Sequence, residues 1–420
     1  MTHESPEATG DSNWRSRISW FLFGQTVSLF GSSLVQYAIL WYITLTTKSG
    51  MVMTLYTLCG FLPQIVISLF AGVWADRFSR KMLIMLSDSA IALSTLVLIV
   101  VMLSGYQELW LLLLVSAIRS AGAGIQTPAV NALIPQLAPA DKLMRVSGVN
   151  GTLQSLTLLL SPAVAGAILT AANMNLTAVL LVDVATAAAG VGIMAFLKVP
   201  RLRRETAPES PLRELAGSLR YMVTHRFLRS LLLVYALLMF LITPASVLTP
   251  LLVAHIFGDE VWRQTMNEMA FSGGAVAGGL LIAAWGGFRN RIHTIVLAGV
   301  VFGGLTVALG LVTNFVWYLA VMAVVGVSMP FFNSPSIVLL QEKVQPEMQG
   351  RVFSFVQIVA SAAMPLGMLL FGPLADLPGG VRLLLITTGA GIVLLTLSML
   401  LVRPLVDNGL PPAESPPPAE

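Results

Sequence analysis

Long apolar segments follow one another along almost the whole chain, and they constrain its fold more than any other feature. Each exceeds twenty residues and is long enough to cross the ~30 Å hydrocarbon core of a membrane as a helix. Lipid offers no hydrogen-bond partner to the backbone, so such segments are expected to be helical. The expected spans are residues 18–45, 51–75, 82–104, 109–134, 144–171, 174–197, 229–256, 262–286, 292–313, 315–341, 352–375 and 381–402.

The composition agrees with a polytopic all-α membrane protein. Of the 420 residues, 56% are hydrophobic and only 10% are charged, whereas a soluble domain carries about 25% charged residues. The single cysteine, Cys59, lies inside an apolar run, which excludes a disulfide framework and a cysteine-based metal site. The four histidines are scattered along the sequence. We therefore expect no metal, no cofactor and no enzymatic activity.

The positive charges are distributed unevenly between the loops of this layout. With both termini on the same side, 20 of the 24 Lys and Arg residues fall on that side and 3 on the other, with Arg119 inside a span. The positive-inside rule then predicts cytoplasmic termini. Because the basic residues are sorted by membrane side, the net charge of +4 does not indicate a nucleic-acid partner.

The two halves of the chain repeat each other. Pro128 and Pro335 are separated by 207 residues, and so are Pro139 and Pro346. Parallel duplication of a six-helix unit is a recurring architecture of secondary transporters. The expected organisation is a first six-helix bundle, a cytoplasmic linker with an interfacial helix, a second bundle and a disordered tail, at residues 1–197, 198–228, 229–403 and 404–420 respectively.

The turn after the second span concentrates charge between two apolar runs. Its pattern is Gly72-x-x-x-Asp76-Arg77-x-x-Arg80-Lys81, and it resembles the loop motif of the major facilitator superfamily. Asp76 can accept hydrogen bonds from a helix N-terminus or an arginine, and the cations can bind acidic groups of the other half. We expect a conformational latch that holds one of two states.

Further stretches resemble those of known transporters, and they begin at Gly24, Gly60, Gly72, Ile118, Thr127, Leu153, Glu268, Gln341 and Gly350. They narrow the resemblance to the macrolide-efflux branch of the drug:proton antiporters in this superfamily. The resemblance implies two six-helix bundles, a bacterial inner-membrane location, a small-molecule drug substrate, and a proton gradient as the energy source in place of a cofactor. After Arg119 the sequence departs from the Arg-x-x-Gln-Gly of such transporters.

Four ionisable residues lie within spans, where a buried charge is costly without a partner. They are Asp88, Arg119, Asp183 and Glu268, and each is a candidate for proton coupling or for structural pairing. Proton antiport requires a carboxyl group that binds and releases protons near physiological pH. We expect Asp183 to pair with Arg119 and Glu268 to carry the proton. Glu342 and Asp376 are expected near the cytoplasmic ends of their spans.

Polar residues on one face of the first span are candidates for substrate binding. Gln25, Ser28, Ser32 and Gln36 recur at steps of three and four. They are expected to face a central cavity together with three residues of the fourth and tenth spans, Gln126, Asn131 and Asn333. The alternative is that this face forms hydrogen bonds between helices.

The sequence leaves two other functions open. One is export of a siderophore or another small molecule by the same fold, and the other is a non-transporting membrane scaffold or sensor. No Gly-x-x-x-x-Gly-Lys-Ser/Thr phosphate loop is present. This disfavours ATP-driven transport, although a separate ATPase subunit stays open as a partner.

Overall fold

The computed structural model describes residues 13–199 and 224–410, and the elements of this part are helices. The interfacial helix expected in the linker lies outside the described residues. Within the described residues, twelve helices are long and apolar enough to cross a membrane. Those of the first half are α1 (Trp14–Thr47), α2 (Gly50–Arg77), α3 (Arg80–Leu103), α4 (Leu109–Leu137), α5 (Leu143–Ala171) and α6 (Leu176–Phe196).

The second half repeats this series. Its first span consists of two stretches, Arg226–Val247 and Thr249–Ile256, separated by Leu248. The six spans are α7 (Arg226–Ile256), α8 (Val261–Trp285), α9 (Arg291–Leu311), α10 (Phe315–Lys343), α11 (Pro346–Ala375) and α12 (Gly380–Ser398).

Asparagine side chains mark the start of several spans. Asn175 accepts from the N–H of Thr177 at 3.0 Å, and Asn314 accepts from the N–H of Val316 at 2.9 Å. Such N-caps satisfy backbone donors that have no partner within the helix. They fix the residues at which α6 and α10 begin.

The packing of the helices confirms the internal repeat. In the first half α1 packs on α5 and α6, α2 packs on α4, and α3 packs on α4 and α6. The same pattern joins α7 to α11 and α12, α8 to α10, and α9 to α10 and α12. The two bundles meet along α2 against α11 and α5 against α8. The fold is therefore a twelve-helix arrangement of two related six-helix bundles.

Both described ends of the chain lie at one end of the molecule, which we call the terminal face; the opposite end is the distal face. Apolar packing between the bundles is concentrated towards the distal face. One buried cluster joins Trp41 of α1 to Ala254 and Val261 of the second half. A second cluster, nearer the terminal face, contains buried residues of the first half alone, such as Phe21 and Leu133.

The chain after α12 is ordered further than the sequence analysis expected. Residues Arg403–Asn408 form a short helix, α13, instead of the start of a disordered tail. Leu405 is fully buried, and the side chain of Asn290 donates to the carbonyl of Val406 at 3.0 Å. The tail boundary at residue 404 was therefore wrong, because an apolar side chain and a cap attach α13 to the start of α9.

Candidate functional site

A buried ion pair joins α4 to α6 inside the first bundle. Arg119 Nη1 contacts Asp183 Oδ2, and the Asp183 side chain has no exposed surface. Thr95 of α3 donates to the same carboxylate at 3.1 Å, and Ser32 of α1 donates to its other oxygen at 3.3 Å. The expected contact between Arg119 and Asp183 is present, and four helices meet at it.

The polar face of α1 is divided between different surroundings. Gln25 and Ser28 are buried, with 8% and 2% of their surface exposed, and Ser28 packs against Gly190 of α6. Gln36 is exposed. The expectation that this face lines one central cavity does not hold for Ser28, which packs on α6, or for Ser32, which donates to the ion pair. The alternative of packing and hydrogen bonding between helices describes these two residues, whereas the cavity role of Gln25 and Gln36 stays a prediction.

A second buried acid lies two turns nearer the terminal face. Asp88 of α3 is 2% exposed, and Gln126 of α4 donates to its Oδ1 at 2.5 Å. Its Oδ2 has no partner in the described part of the chain. Gln126 was expected on the cavity surface, but its side chain is hydrogen-bonded to Asp88 instead. Asn131 is exposed.

Glu268 of α8 has surroundings different from those of Asp183. It is partly buried, and within the described residues its carboxylate has no cation or hydrogen-bond donor as a partner. It lies close enough to the phenols of Tyr37 (α1) and Tyr318 (α10) to interact with them electrostatically. Two glycines further along α8, Gly274 and Gly278, bring this helix against the carbonyls of Ala323 and Val327 in α10.

A cavity of about 650 Å³ lies in the second bundle, between α7, α10 and α11, in the half nearer the terminal face. Asn333 lines it, as the sequence analysis expected, and none of the lining residues in the described part of the chain is charged. The other lining residues are Leu231, Leu232, Val234, Tyr235, Leu238, Ile295, Phe332, Ser336, Ile337, Leu340, Gln341, Phe353, Val356, Gln357 and Met399. Ligand pockets of proteins have volumes of about 300–1,000 Å³ with a mainly apolar lining.

Polar contacts join the bundles at the distal face. Asp376, which follows α11, accepts from the N–H of Gly50 at 2.5 Å, from the N–H of Met51 at 3.0 Å and from Ser49 Oγ at 3.0 Å. The expected position of Asp376 was wrong, because α11 starts at the terminal face and its last turn reaches the distal face. A carboxylate at a helix N-terminus is stabilised by the free N–H groups and the helix dipole.

Further contacts strengthen this distal connection. Lys48 forms an ion pair with Asp259 at 2.6 Å, and His255 contacts the carbonyl of Lys48 at 3.2 Å. Thr54 donates to the carbonyl of Met368 at 3.0 Å. With these contacts the two bundles are closed against each other at the distal face. We call this arrangement the distal-closed state.

The charged turn between α2 and α3 is bound to its own bundle. Arg80 donates to the carbonyl of Ala132 at 2.6 Å, and Lys81 donates to the carbonyls of Ala195 and Leu197 at 2.8 and 2.9 Å. In the described contacts these cations cap the ends of α4 and α6 rather than binding acids of the other half. The surroundings of Gly72 and the side chains of Asp76 and Arg77 lie outside the described part of the structure, so the latch stays a prediction.

The second half contains a counterpart of the Arg80 contact. Arg291, at the start of α9, contacts Glu342 near the end of α10 at 3.3 Å. Arg80, at the start of α3, likewise reaches the last turns of α4, but it donates to a backbone carbonyl there. Glu342 therefore lies at the terminal face, as the sequence analysis expected.

The sequence analysis missed a hydroxyl that enters the backbone of α2. Ser120 of α4 donates to the carbonyl of Gly60 at 2.6 Å and accepts from the N–H of Gln64 at 3.1 Å. These two groups would bond each other in a regular helix, and Pro63 lies between them. A polar side chain inserted beside a proline is a recognised cause of helix bending. The only signal in the sequence was Pro63 itself.

Comparisons with known proteins identify the family. The model of the Major Facilitator Superfamily matches residues 21–368. The chain belongs to the Major Facilitator Superfamily. It is 34% identical to macrolide efflux protein A of Streptococcus pyogenes over 372 residues, which is 87% of this chain and 91% of that protein. It is 33% identical to macrolide efflux protein A of Enterococcus faecalis, over 76% of this chain and 99% of that protein.

Solved structures of the superfamily show the same fold. A bacterial homologue of the human lysosomal transporter Spinster, in an inward-facing and unoccupied conformation, superposes with a TM-score of 0.71 at 14% identity. The match covers 94% of this chain and 99% of that one. This superfamily member is therefore a multi-pass bacterial membrane transporter rather than an enzyme, and its similarity to the macrolide-efflux branch is confirmed. Within residues 13–199 and 224–410, no group of three or more His, Cys, Asp or Glu residues could hold a metal ion.

Proposed function

We propose that this transporter exports bulky, largely apolar compounds, with macrolides as the first candidate class. The observation that carries the proposal is the cavity of about 650 Å³, which is lined by apolar and aromatic side chains and a few uncharged polar ones. Tyr235 and Phe332 stack there with ring centroids 6.3 Å apart, and they offer flat apolar surface. Asn333, Ser336 and Gln357 supply hydrogen bonds that orient a ligand without binding a charge.

The names of the relatives favour the same class. Two are macrolide efflux proteins at 33–34% identity, and a multidrug efflux pump of Mycolicibacterium fortuitum is 25% identical over 87% of this chain. A staphyloferrin A transporter of Staphylococcus aureus, 21% identical, keeps siderophore export as the second candidate. The described residues of the cavity lining carry no charge, which favours an uncharged or weakly charged apolar substrate over a highly charged one.

Export is coupled to protons through Glu268 in this proposal. A carrier must gain and lose its proton during each cycle, and Asp183 is the less suitable candidate because it is already ion-paired with Arg119. Glu268 has no such partner among the described residues, and it lies on α8, one of the helices at which the bundles meet. No cofactor is required, because the proton gradient supplies the free energy. A partner ATPase subunit is unnecessary in this scheme.

The distal-closed state corresponds to the inward-open step of alternating access. The basic loops favour a cytoplasmic terminal face, and hence cytoplasmic termini in a bacterial inner membrane. The cavity then receives its substrate from the cytoplasm or the inner leaflet. Separation of the distal contacts, with closure at the terminal face, releases the substrate outside.

Drug accumulation in cells tests the proposal. Cells that express the transporter should accumulate less of a radiolabelled macrolide than cells with an empty vector, and a protonophore should abolish the difference. A panel of macrolides and a ferric siderophore precursor separates the two candidate substrate classes. Equal accumulation of every compound with and without the protein would contradict export and favour a non-transporting membrane scaffold or sensor.

A further inference from the structure

Three polar side chains follow one another along one face of α8, starting at the distal face. Gln264, Asn267 and Glu268 lie about 4.5, 9 and 10.5 Å along the helix from Val261, at ~1.5 Å per residue. Their spacing of three and four residues places them on the same side of α8. We call these three residues the α8 polar stripe.

Each amide of this stripe is only half satisfied by protein. Gln264 Nε2 donates to the carbonyl of Pro250 at 2.9 Å, and Asn267 Oδ1 accepts from the Tyr318 hydroxyl at 3.0 Å. Gln264 Oε1 and Asn267 Nδ2 have no partner within the described residues, although both side chains are completely buried. Buried polar atoms without protein partners are sites for water. The stripe can therefore carry a short chain of water towards Glu268.

Two aromatic residues of the other bundle lie near the distal end of this stripe in the distal-closed state. Tyr37 and Trp41 of α1 have ring centroids 5.7 Å apart. Trp41 is fully buried, and its cluster includes Val261 at the start of α8 and Ala254 of α7. Tyr37 is close enough to Glu268 to interact with it electrostatically. These aromatic residues belong to the first bundle and Glu268 to the second, so separation of the bundles at the distal face moves them away from α8.

We propose that Tyr37 and Trp41 are the gate between Glu268 and the distal face, and that the α8 polar stripe is the proton's route through it. In the distal-closed state the gate denies distal protons access to Glu268. When the bundles separate at the distal face, the gate leaves α8 and the stripe delivers a proton to the carboxylate. The inference rests on the proposed coupling role of Glu268 and adds the gate that prevents protons from crossing without substrate.

The charged and titratable groups around Glu268 leave this route undisturbed. Tyr37 of α1 and Tyr318 of α10 are the titratable groups that interact with its carboxylate. On α5, which packs against α8, the only ionisable residue is Arg145, at the terminal end. On the distal stretch of α7 the only ionisable residue is His255, which contacts the carbonyl of Lys48. On α8 itself Arg263 is held by Glu260 at 3.1 Å.

Proton leakage in the absence of drug tests the gate. Proteoliposomes containing a trapped pH dye should hold an imposed pH gradient with the wild type, whereas Trp41→Ala should lose it several-fold faster. The double variant Trp41→Ala/Glu268→Gln should again be tight, because the leak requires the acid. Tyr37→Ala, at a less buried position, tests the same gate if Trp41→Ala folds poorly. Phe21→Ala removes an equally buried aromatic side chain from α1, within the first bundle, and should not leak.

Each outcome decides one claim. A folded Trp41→Ala or Tyr37→Ala protein that retains the gradient as well as Phe21→Ala does would overturn the gate. A leak that persists in the double variant would show that protons bypass Glu268 and would also overturn it. Gln264→Met and Asn267→Leu should slow pH-driven efflux while preserving substrate binding. Unchanged efflux in both variants would contradict the role of the α8 polar stripe as the proton's route. The coupling role of Glu268 is tested separately, and it is contradicted if the single variant Glu268→Gln retains pH-driven efflux.

Discussion

The carboxylate of Asp376 accepts a hydrogen bond from the backbone N–H of Gly50 at 2.5 Å, so the end of α11 is attached to the first residue of α2. The two residues belong to different bundles and meet at the distal face. Close packing accompanies the bond, because a Cβ on Gly372 would collide with Thr54 Oγ1. The contact can exist only while the distal face is closed.

Asp376→Asn should therefore destabilise the distal-closed state, by about 1 kcal/mol for a carboxylate lost from a helix N-terminus. Spin labels or fluorophores on the distal ends of α1 and α7 should report a larger separated fraction. Asp141→Asn is the matched control, since its ion pair with Lys142 is exposed and lies between α4 and α5 of the first bundle, and exposed pairs contribute about 0–1 kcal/mol. Identical distance distributions for Asp376→Asn and the wild type would contradict the role of Asp376.

The Arg119–Asp183 pair should act mainly on stability. Asp183→Asn leaves a buried guanidinium without its counter-charge, and breaking a buried pair costs about 3–5 kcal/mol. We expect a lower folded yield and a lower midpoint of thermal unfolding in detergent. The double variant Arg119→Met/Asp183→Leu should recover part of the loss, because neither charge is then buried alone. A fully stable Asp183→Asn with impaired coupling would instead assign Asp183 to proton transfer.

Ser120→Ala should destabilise α2. The substitution leaves the carbonyl of Gly60 and the N–H of Gln64 without their shared hydroxyl, and an unsatisfied buried group costs about 1–3 kcal/mol. Ser116→Ala is the control, because its hydroxyl donates to Leu112 of its own helix, at 2.7 Å. A lower unfolding midpoint is expected for Ser120→Ala alone. Equal midpoints for the two variants would show that the Ser120 hydroxyl does not stabilise α2.

The lining of the cavity can be mapped with single cysteines in a Cys59→Ser background. Asn333→Cys should react with a soluble thiol reagent, and a bound macrolide should protect it, because Asn333 lines the cavity. Ser28→Cys should stay unreactive in the same state, since Ser28 is 2% exposed. Fast labelling of Ser28→Cys would restore the α1 polar face as a cavity surface.

Much of this architecture follows from the sequence because the membrane restricts the length, the composition and the helical structure of each span. Segment length and apolar content set the spans, and the recurrence of Pro128 and Pro335 reveals the duplication. The pairing of Asp183 with Arg119 was also predictable, since a buried charge needs a partner and few were available. These features depend on local composition and on a short list of candidates.

The remaining features depend on how helices are rotated and which ends meet. The periodicity of Gln25, Ser28 and Ser32 placed them on one face, but it could not tell whether that face turned to α6 or to a cavity. Ser120 resembled any other serine in a span until Pro63 was found beside it. The face of Asp376 follows from the order of the spans and was assigned wrongly, whereas its partner Gly50, more than three hundred positions away, could not be read from the sequence.

The central claim is that Glu268 carries the proton that drives export. The most direct measurement is macrolide transport against its gradient in proteoliposomes energised by a pH difference, with substrate binding measured on the same preparations. Glu268→Gln should bind substrate like the wild type and show no uphill transport, whereas Glu260→Gln, at the exposed start of α8, should transport normally. Full pH-driven transport by Glu268→Gln would contradict the account.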